Sequence, residues 1–411
     1  MGAPAARAAE LAHHWAKAGH DVSVLTGFPN HPTGVVPEEW RSRLHRLTDH
    51  EKLEGVDVFR TWLWPLPNRK SHERMRNYAS FCLSAALRGL NIPRPDVIIA
   101  TSPQLLVGLS GWWLSAVRRV PFVFEVRDLW PESLAAVGLG NANSLHRSLS
   151  AVAGFLYNRS DHIVVVTPAF KEHLIQHWHV PAEKISVVEN GVETTLFSPG
   201  TPAANATLRR ELGAENRFLV CYVGTMGMAH GLETLLEAAT QLQHRNPDVL
   251  FLLIGEGAEK DHIKALAQSR GLANVRFLDQ QPRETIPAFI SASDACLVLL
   301  KKTDVFKTVI PTKMLESMSC ARPLILGVEG EARKIVEEAA AGIVIEPENS
   351  AALAQAVRRL AADHSLGQAL GKKGREYILR RFSRRQTAEN YIAVLEAVLG
   401  IPATRKAEAA A

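Results

Sequence analysis

Residues 218–243 read FLVCYVGTMGMAHGLETLLEAATQLQ, an apolar run followed by a glycine-rich turn and an amphipathic segment. This order predicts a strand over Phe218–Val223 and a helix over Leu232–Leu242. Glycines at such a junction let backbone N–H groups approach an anion at the positive end of the helix. The turn is neither a P-loop nor a G-x-G-x-x-G fingerprint, so phosphate binding and an ordinary glycine turn are both open from this segment alone.

The same order of strand, turn and helix recurs on both sides of this segment. Its alternation predicts an α/β chain with parallel sheets covered by helices on both faces, and ligands at the carboxyl ends of the strands. Further strands are predicted at Asp21–Leu25, Asp57–Trp62, Asp96–Ala100, Phe122–Val126, His162–Val166, Lys184–Val188, Val249–Ile254, Val275–Leu278, Asp294–Leu299, Pro323–Leu326 and Gly342–Ile345.

The predicted domains are two tandem Rossmann-like, doubly wound units, residues 1–197 and 198–383, facing a cleft. Ser198–Asn205 (SPGTPAAN) is predicted to link them. The first residues lead directly into a helix at Arg7–Ala18, without the strand that normally opens such a domain. We therefore expect an interrupted sheet or an exposed edge in the first domain. The alternative is that residues 1–25 complete a normal sheet.

Composition excludes several classes of protein. The chain has 411 residues, 46% hydrophobic and 22% charged, which is typical of a folded chain of two or three domains and not of disordered or fibrous proteins. The net charge of +5 is spread evenly, so no nucleic-acid partner is expected. Neither a signal peptide nor a spanning segment is evident, and four separated cysteines indicate a reducing cytoplasm rather than a disulfide framework.

Three further segments contain candidate site residues. Pro311 suits the first turn of a helix, which would place Glu316 on its second turn, either as a ribose ligand or as a surface glutamate. Arg127 and Asp128 follow the strand Phe122–Val126, where they could face a ligand or form only a structural ion pair. Asn190-Gly191 is a turn signal before the linker.

An aromatic and basic segment suggests a membrane surface, although a strand end and a solvated helix face would look alike. Its residues are Trp62, Trp64, Arg69, Lys70, Arg74 and Arg76. His173, His177 and His179 have no carboxylate partner at a suitable spacing, so no metal site is predicted.

Together, the 224–231, 308–316, 125–133 and 188–197 segments resemble the family 4 retaining glycosyltransferases of the GT-B fold. EVRDLWPES and TVIPTKMLE are most similar to the branch that assembles bacterial O-antigen and capsule glycans, including fucosamine transferases. The resemblance implies a nucleotide-sugar donor, a UDP-N-acetylamino sugar, in the second domain. It also implies that a helix at 384–400 completes the first domain. The implied donor-binding residues are Gly2, Gly224, Thr225, Gly227, His230, Gly231, Leu278, Asp279, Thr308, Ile310, Pro311, Thr312, Lys313 and Glu316.

The sequence departs from the general pattern of that family at three positions. Thr308 stands where an acidic residue is usual, and Thr225 and His230 stand where a basic pair usually contacts the diphosphate. Lys313 could supply the missing positive charge. These departures bear on the donor sugar and leaving group, not on the reaction class.

The resemblance also implies a mechanism and a location. We expect retention without a metal or cofactor, because no Asp-x-Asp pair occurs and fixed charges can stabilise the leaving diphosphate. Asp128, Arg127 and Glu316 are the expected catalytic residues, with Asp128 orienting the acceptor. The expected acceptor is a polyprenyl-diphosphate-linked or other glycan at the inner face of the plasma membrane. A sugar-nucleotide epimerase, a phosphorylase and a non-catalytic nucleotide- or glycan-binding protein are the competing interpretations.

Overall fold

The computed structural model describes residues 3–30, 34–67, 71–132 and 144–402. The chain divides into two compact units, with one crossing between Glu189 and Asn190 and the other between Gln386 and Thr387. The final helix therefore belongs almost entirely to the N-terminal unit.

The N-terminal unit contains two separate sheets rather than one. The first has the order β1-β3-β2, with β2 antiparallel, and the second is the parallel sheet β4-β5-β6-β7. Its strands are β1 Ser23–Gly27, β2 Thr48–Leu53, β3 Val56–Thr61, β4 Ile98–Thr101, β5 Phe122–Val126, β6 His162–Val165 and β7 Ile185–Val187. Its helices are α1 Ala3–Lys17, α2 Glu38–Leu44, α3 Ser71–Gly89, α4 Leu105–Arg118, α5 Ser144–Arg159, α6 Pro168–Trp178 and, from the chain's end, α15 Arg384–Val398.

Among the described strands, β1 pairs only with β3 and β4 only with β5, so each has an open edge. The expected interruption of the N-terminal sheet is thus present. Helix α1 packs on both sheets: Leu11 lies in a core with residues of β5, β6 and α15, and Ala12 packs with Val56 and Val58 of β3. Apolar packing against α1 therefore holds together two sheets that share no strand pairing among the described residues.

The C-terminal unit has one parallel sheet with the order β10-β9-β8-β11-β12-β13. Its central strands are continuous apolar runs because helices cover both faces, and all six residues of β9 are buried. The strands are β8 Phe218–Val223, β9 Val249–Ile254, β10 Val275–Leu278, β11 Ala295–Leu299, β12 Leu324–Gly327 and β13 Gly342–Val344. The helices are α7 Pro202–Glu211, α8 Glu233–Gln243, α9 Lys260–Ser269, α10 Ile286–Ala292, α11 Thr312–Ser319, α12 Glu331–Ala339, α13 Ser350–Ala362 and α14 His364–Arg381.

Every strand predicted from the sequence is present, with ends within two residues of those expected. Strand β2 was not predicted, because TDHEKL is charged and pairs antiparallel at a sheet edge. The predicted linker is wrong from Pro202 onward: Thr201 accepts a hydrogen bond from the backbone N–H of Ala204 and begins α7. In the part of the chain that the structure describes, no helix combines the length and apolarity needed to cross a bilayer.

Candidate functional site

The glycine-rich turn after β8 is held against the turn after β9. Gly224 N–H donates to the carbonyl of Ile254 at 3.0 Å, and Met226 N–H donates to that of Glu256 at 2.8 Å. Gly255, at φ +147°, lies so close that a Cβ there would collide with the carbonyl oxygen of Gly224. The turn is therefore a fixed element at the carboxyl ends of two central strands, where parallel sheets bind ligands.

Lys313 lies beneath this turn, on the first turn of α11. Its Nζ donates to the hydroxyl of Tyr222 at 2.9 Å and lies 4.2 Å from the centroid of the Tyr222 ring. A Cβ at Gly224 would be 3.1 Å from this Nζ, so glycine leaves room for the amine. Tyr222 in turn donates to the carbonyl of Thr225 at 2.7 Å. This chain of contacts joins the cationic side chain to the backbone of the glycine turn.

Burial lowers the pKa of Lys313 to about 7, although Glu316 acts in the opposite direction. Burial and the nearby Lys313 lower the pKa of His230 to about 3, so its imidazole is neutral. The His230 Nδ1 is 3.3 Å from the carbonyl oxygen of Leu299, a contact in which it can only donate. His230 therefore adds no positive charge to the turn, whereas Lys313 places an ionisable amine beside it.

Glu316 and Lys313 are three residues apart on α11, so their side chains share one helix face. Glu316 Oε1 accepts from Arg283 at 2.8 Å, and both side chains are nearly buried, at 10% and 13% exposure. The Arg283 guanidinium also stacks 4.9 Å from the Phe197 ring centroid. The ion pair with Arg283 therefore fixes the orientation of the Glu316 carboxylate, which is not a solvent-exposed surface group.

The remaining predicted donor residues lie around the same strand ends, apart from Gly2, which is outside the described residues. Thr308 ends a 3₁₀ turn at Val305–Thr308 and donates its hydroxyl to the carbonyl of Val305 at 2.7 Å. Thr312 Oγ1 accepts from the amide of Asn190 at 2.9 Å. Asp279 is exposed and pairs with Lys260 at 2.6 Å. The backbone carbonyls of the other predicted residues mostly take part in local hydrogen bonds, accepting from His230 at Gly227, from Thr234 at Gly231, from Gly255 at Leu278 and from Met314 at Pro311. Leu278 and Ile310 also pack against the core of the C-terminal unit.

Glu125, on buried strand β5, is part of a polar network in the N-terminal unit. It accepts from Arg7 Nη2 at 2.9 Å and from the hydroxyl of Thr101 at 2.6 Å. Burial alone would raise the pKa of Glu125, but Arg7, Arg127 and these hydrogen bonds hold it below its usual value. The ion pair formed by this carboxylate joins α1 to β5, so Glu125 has a structural role.

Arg127 and Asp128 follow directly after β5. The buried hydroxyl of Ser102 accepts from both of their backbone N–H groups, at 2.8 and 3.3 Å. Trp130 Nε1 donates to Asp128 Oδ2 at 3.2 Å. These contacts fix a partly exposed carboxylate at the carboxyl end of a parallel strand, a suitable position for orienting an acceptor hydroxyl.

The predicted membrane segment is only partly exposed. Trp64 is 49% exposed, whereas Trp62 is half-buried, and Arg69 and Lys70 lie outside the described residues. Arg76 is exposed on α3 and Arg74 is half-buried. Elsewhere, His173 pairs with Glu132 at 3.3 Å. Over the described ranges, no group of three or more His, Cys, Asp or Glu side chains could hold a metal ion.

The sequence did not indicate several residues that shape these sites. They are Arg7, Ser102, Tyr222 and Arg283. Each makes a contact with a residue 25 or more positions away in the sequence, so no local pattern could identify it.

Two family models match the two halves of the chain. A glycosyl transferase 4-like domain matches residues 2–191, and a glycosyl transferases group 1 domain matches residues 205–377. The chain belongs to the group 1 glycosyltransferases. Membership of that family makes this protein a transferase, as the sequence motifs predict.

Curated relatives extend the match to most of the chain. The colanic acid biosynthesis glycosyl transferase WcaI of Escherichia coli K12 is 25% identical over 85% of this glycosyltransferase and 86% of its own length. Glycosyltransferase WbjE of Pseudomonas aeruginosa is 24% identical over 77% of this chain and 76% of its own length.

Solved structures show the fold. Sucrose-phosphate synthase from Thermosynechococcus elongatus matches with a TM-score of 0.74 and 22% identity, covering 98% of this chain and 94% of that one. Anabaena HepE in complex with UDP matches with a TM-score of 0.68 and 19% identity, covering 92% of this chain and all of that one. The glycosyltransferase thus has the two-domain GT-B fold, with Rossmann-like parallel sheets.

Proposed function

We propose that this enzyme is a retaining glycosyltransferase. It moves an N-acetylamino sugar from UDP to a polyprenyl-diphosphate-linked glycan during synthesis of a surface polysaccharide, at the inner face of the membrane. The observation that carries the proposal is that Lys313 and Glu316 lie on one face of α11, beside the fixed glycine turn. The Lys313 amine can bind a diphosphate, and the Glu316 carboxylate can accept hydrogen bonds from the two hydroxyls of a ribose.

The names of the relatives support the pathway and the nucleotide. WcaI is named for colanic acid biosynthesis, and the HepE structures contain UDP or UDP-glucose. The amino group on the donor sugar rests on the similarity of EVRDLWPES and TVIPTKMLE to amino-sugar transferases.

In the proposed reaction, the bond between the sugar C1 and the β-phosphate oxygen breaks while an acceptor hydroxyl attacks C1 from the same face. The hydroxyl proton passes to the departing phosphate oxygen. Lys313 and the N–H groups of the glycine turn stabilise the charge that grows on the diphosphate. Asp128 orients the acceptor hydroxyl, and Arg127 stands beside it. These groups supply the chemistry without a cofactor.

A donor screen with product mass as the readout tests the reaction. The enzyme is incubated with single UDP-sugars and a short lipid-linked acceptor, and the anomeric configuration of the product is read by NMR. We expect transfer from a UDP-N-acetylamino sugar with retention. An inverted product, or hydrolysis with no transfer from any donor, would contradict the proposal.

Two substitutions test the residue roles. Glu316→Ala removes the ribose contact, so it is expected to raise the donor KM by about ten- to a hundredfold. Asp128→Ala is expected to lower kcat with little change in donor KM. Glu338→Ala, an exposed carboxylate on α12, is the matched control. Full activity in folded Glu316→Ala and Asp128→Ala proteins would remove both assignments.

A further inference from the structure

The outward face of α3 is apolar where a solvated helix face should be polar. Ala79, Leu83 and Leu87 recur at helical spacing on that face, and Leu90 continues it just after the helix ends. Leu83 is 65% exposed and Leu87 is 57% exposed. Single exposed leucines are common on protein surfaces, but a row of them on one face is not.

Helix α4 extends this apolar surface. The two helices approach closely: a Cβ at Gly89 would collide with the side chain of Leu114, and Cys82 contacts Ser110. The outer side of α4 exposes Trp113 and, one turn later, Val117, which is 50% exposed. Leu83, Leu87, Leu90, Trp113 and Val117 are called the α3–α4 face below.

The charged residues of α3, α4 and the segment between them are mostly positive. From Ser71 to Arg119 the sequence has six arginines, and its acidic residues are Glu73 and Asp96. Arg76 is exposed towards the N-terminal end of α3. At the other end, Arg94 donates to the carbonyls of Arg118 and Arg119 at 3.1 Å, and Arg94 and Arg119 are exposed. An apolar centre with arginines at both ends complements an anionic bilayer, where aliphatic side chains enter the acyl boundary and arginines bind headgroups.

We propose that the α3–α4 face docks in the plane of an anionic phospholipid bilayer. This inference rests on the proposed function, because the proposed lipid-linked acceptor lies in a bilayer. The surface differs from the Trp62–Arg76 segment expected from the sequence: Arg76 of that segment flanks the α3–α4 face, but Trp62 and Trp64 are not part of it.

The position of the acceptor residues supports this docking. Helix α4 begins at Leu105, shortly after Ser102, whose hydroxyl holds the backbone of Arg127 and Asp128. Asp128, which is proposed to orient the acceptor, therefore lies near the N-terminal end of α4, and the outer side of α4 is proposed to face the bilayer. A lipid-linked glycan could remain anchored while its hydroxyl reaches Asp128.

Vesicle flotation with the full chain tests the proposal. Vesicles of phosphatidylcholine alone are compared with vesicles that also contain phosphatidylglycerol. We expect the wild-type protein to float with the anionic vesicles and to be released as salt is raised. The double variant Leu83→Glu/Leu87→Glu should bind at least about tenfold more weakly, because two apolar side chains no longer enter the bilayer.

Matched variants distinguish an effect of the α3–α4 face from the effect of removing any exposed apolar side chain. Leu379→Glu changes a leucine of similar exposure on α14 and should float like the wild type. Arg76→Gln with Arg119→Gln should weaken binding only to the anionic vesicles. Equal flotation of wild type and Leu83→Glu/Leu87→Glu would overturn the proposal, and so would a wild-type dimer that this double substitution dissociates.

A soluble short-chain acceptor separates this proposal from the proposed function. Transfer to that acceptor should be the same in wild type and in Leu83→Glu/Leu87→Glu, because both leucines are exposed and neither is among the proposed donor or acceptor residues. Absence of transfer in both proteins would count against the proposed function, whereas loss of flotation alone concerns the docking surface.

Discussion

In the proposed site, the partly buried Lys313 takes the place of a pair of basic residues. The positions usual for that pair hold Thr225 and a neutral His230, and Lys313 reaches the glycine turn from α11 instead. Its contacts are the ring and hydroxyl of Tyr222, while the neighbouring Glu316 is bonded to Arg283. If the diphosphate binds as proposed, its negative charge will favour the ionised form of this amine.

Donor affinity should depend on pH through Lys313. Its pKa of about 7 means that the free enzyme carries the ammonium below pH 7 and largely the neutral amine above it. Because a diphosphate favours the ammonium, donor binding above pH 7 takes up a proton. The donor KM should rise between about pH 7.5 and 9.5, by up to about tenfold per unit. Initial rates across this range measure it.

Lys313→Arg provides the control for this pH dependence. A guanidinium stays charged throughout the range, so the donor KM of the variant should be nearly independent of pH. A wild-type KM that does not change between these pH values would show that Lys313 does not titrate on donor binding.

Arg283 should position Glu316. Arg283→Ala leaves a nearly buried carboxylate without its guanidinium partner, so we expect the donor KM to rise about tenfold or more while the fold persists. Arg283→Lys retains a cation and should recover part of the affinity. UDP titration by calorimetry measures both, and unchanged UDP affinity in Arg283→Ala would exclude this positioning role.

At the scale of elements, the turn at Asn190 connects α11 to the two segments in which the chain passes from one unit to the other. The two crossing segments pair with each other, since Val192 N–H donates to Phe382 and Arg384 N–H donates to Val192. Asn190 donates to Thr312 and accepts from Arg384, both at 2.9 Å. The Asn-Gly turn thus does more than reverse the chain, because it ties the first turn of α11 to the crossing segments.

Asn190→Ala should loosen this connection. It removes two hydrogen bonds and leaves Arg384, which is 2% exposed, without one acceptor, so the free energy of unfolding should fall by about 1–3 kcal/mol. Urea denaturation measures the change. Thr195→Ala, which removes an exposed hydroxyl on the same segment, should change it by less than about 0.5 kcal/mol.

Gly255 tests whether the two turns must lie in contact. Gly255→Ala places a Cβ against the carbonyl of Gly224 at a φ that favours glycine. We expect the glycine turn to shift, so UDP binding should fall by at least about tenfold, as measured by calorimetry. Gly271→Ala is a control of similar φ sign with open space around it, and UDP binding should be unaffected. Normal UDP affinity in Gly255→Ala would contradict the fixed-turn description.

At the scale of the whole molecule, the proposed donor residues all lie in the C-terminal unit apart from Gly2, so we expect UDP to stabilise that unit more than the other. UDP at about a hundred times its Kd stabilises the unit that binds it by about 2.7 kcal/mol. Hydrogen exchange on the full chain should therefore slow in β8–β11 and remain unchanged in β4–β7. Equal protection of both units would show that UDP does not bind as proposed.

The sequence alone determined every described strand except β2, the parallel α/β class and, through its motifs, the family, because continuous apolar runs and turn residues are local signals. It also indicated Glu316, Lys313 and the glycine turn as donor-binding residues, through the resemblance of their motifs to family 4 glycosyltransferases. Only the tertiary structure decided the partners Arg283, Tyr222 and Ser102, the helical start at Pro202 and the apolar face on α3 and α4. Those features depend on which side chains from distant segments come into contact and on which helix face remains exposed. The spacing of residues along the sequence does not determine either.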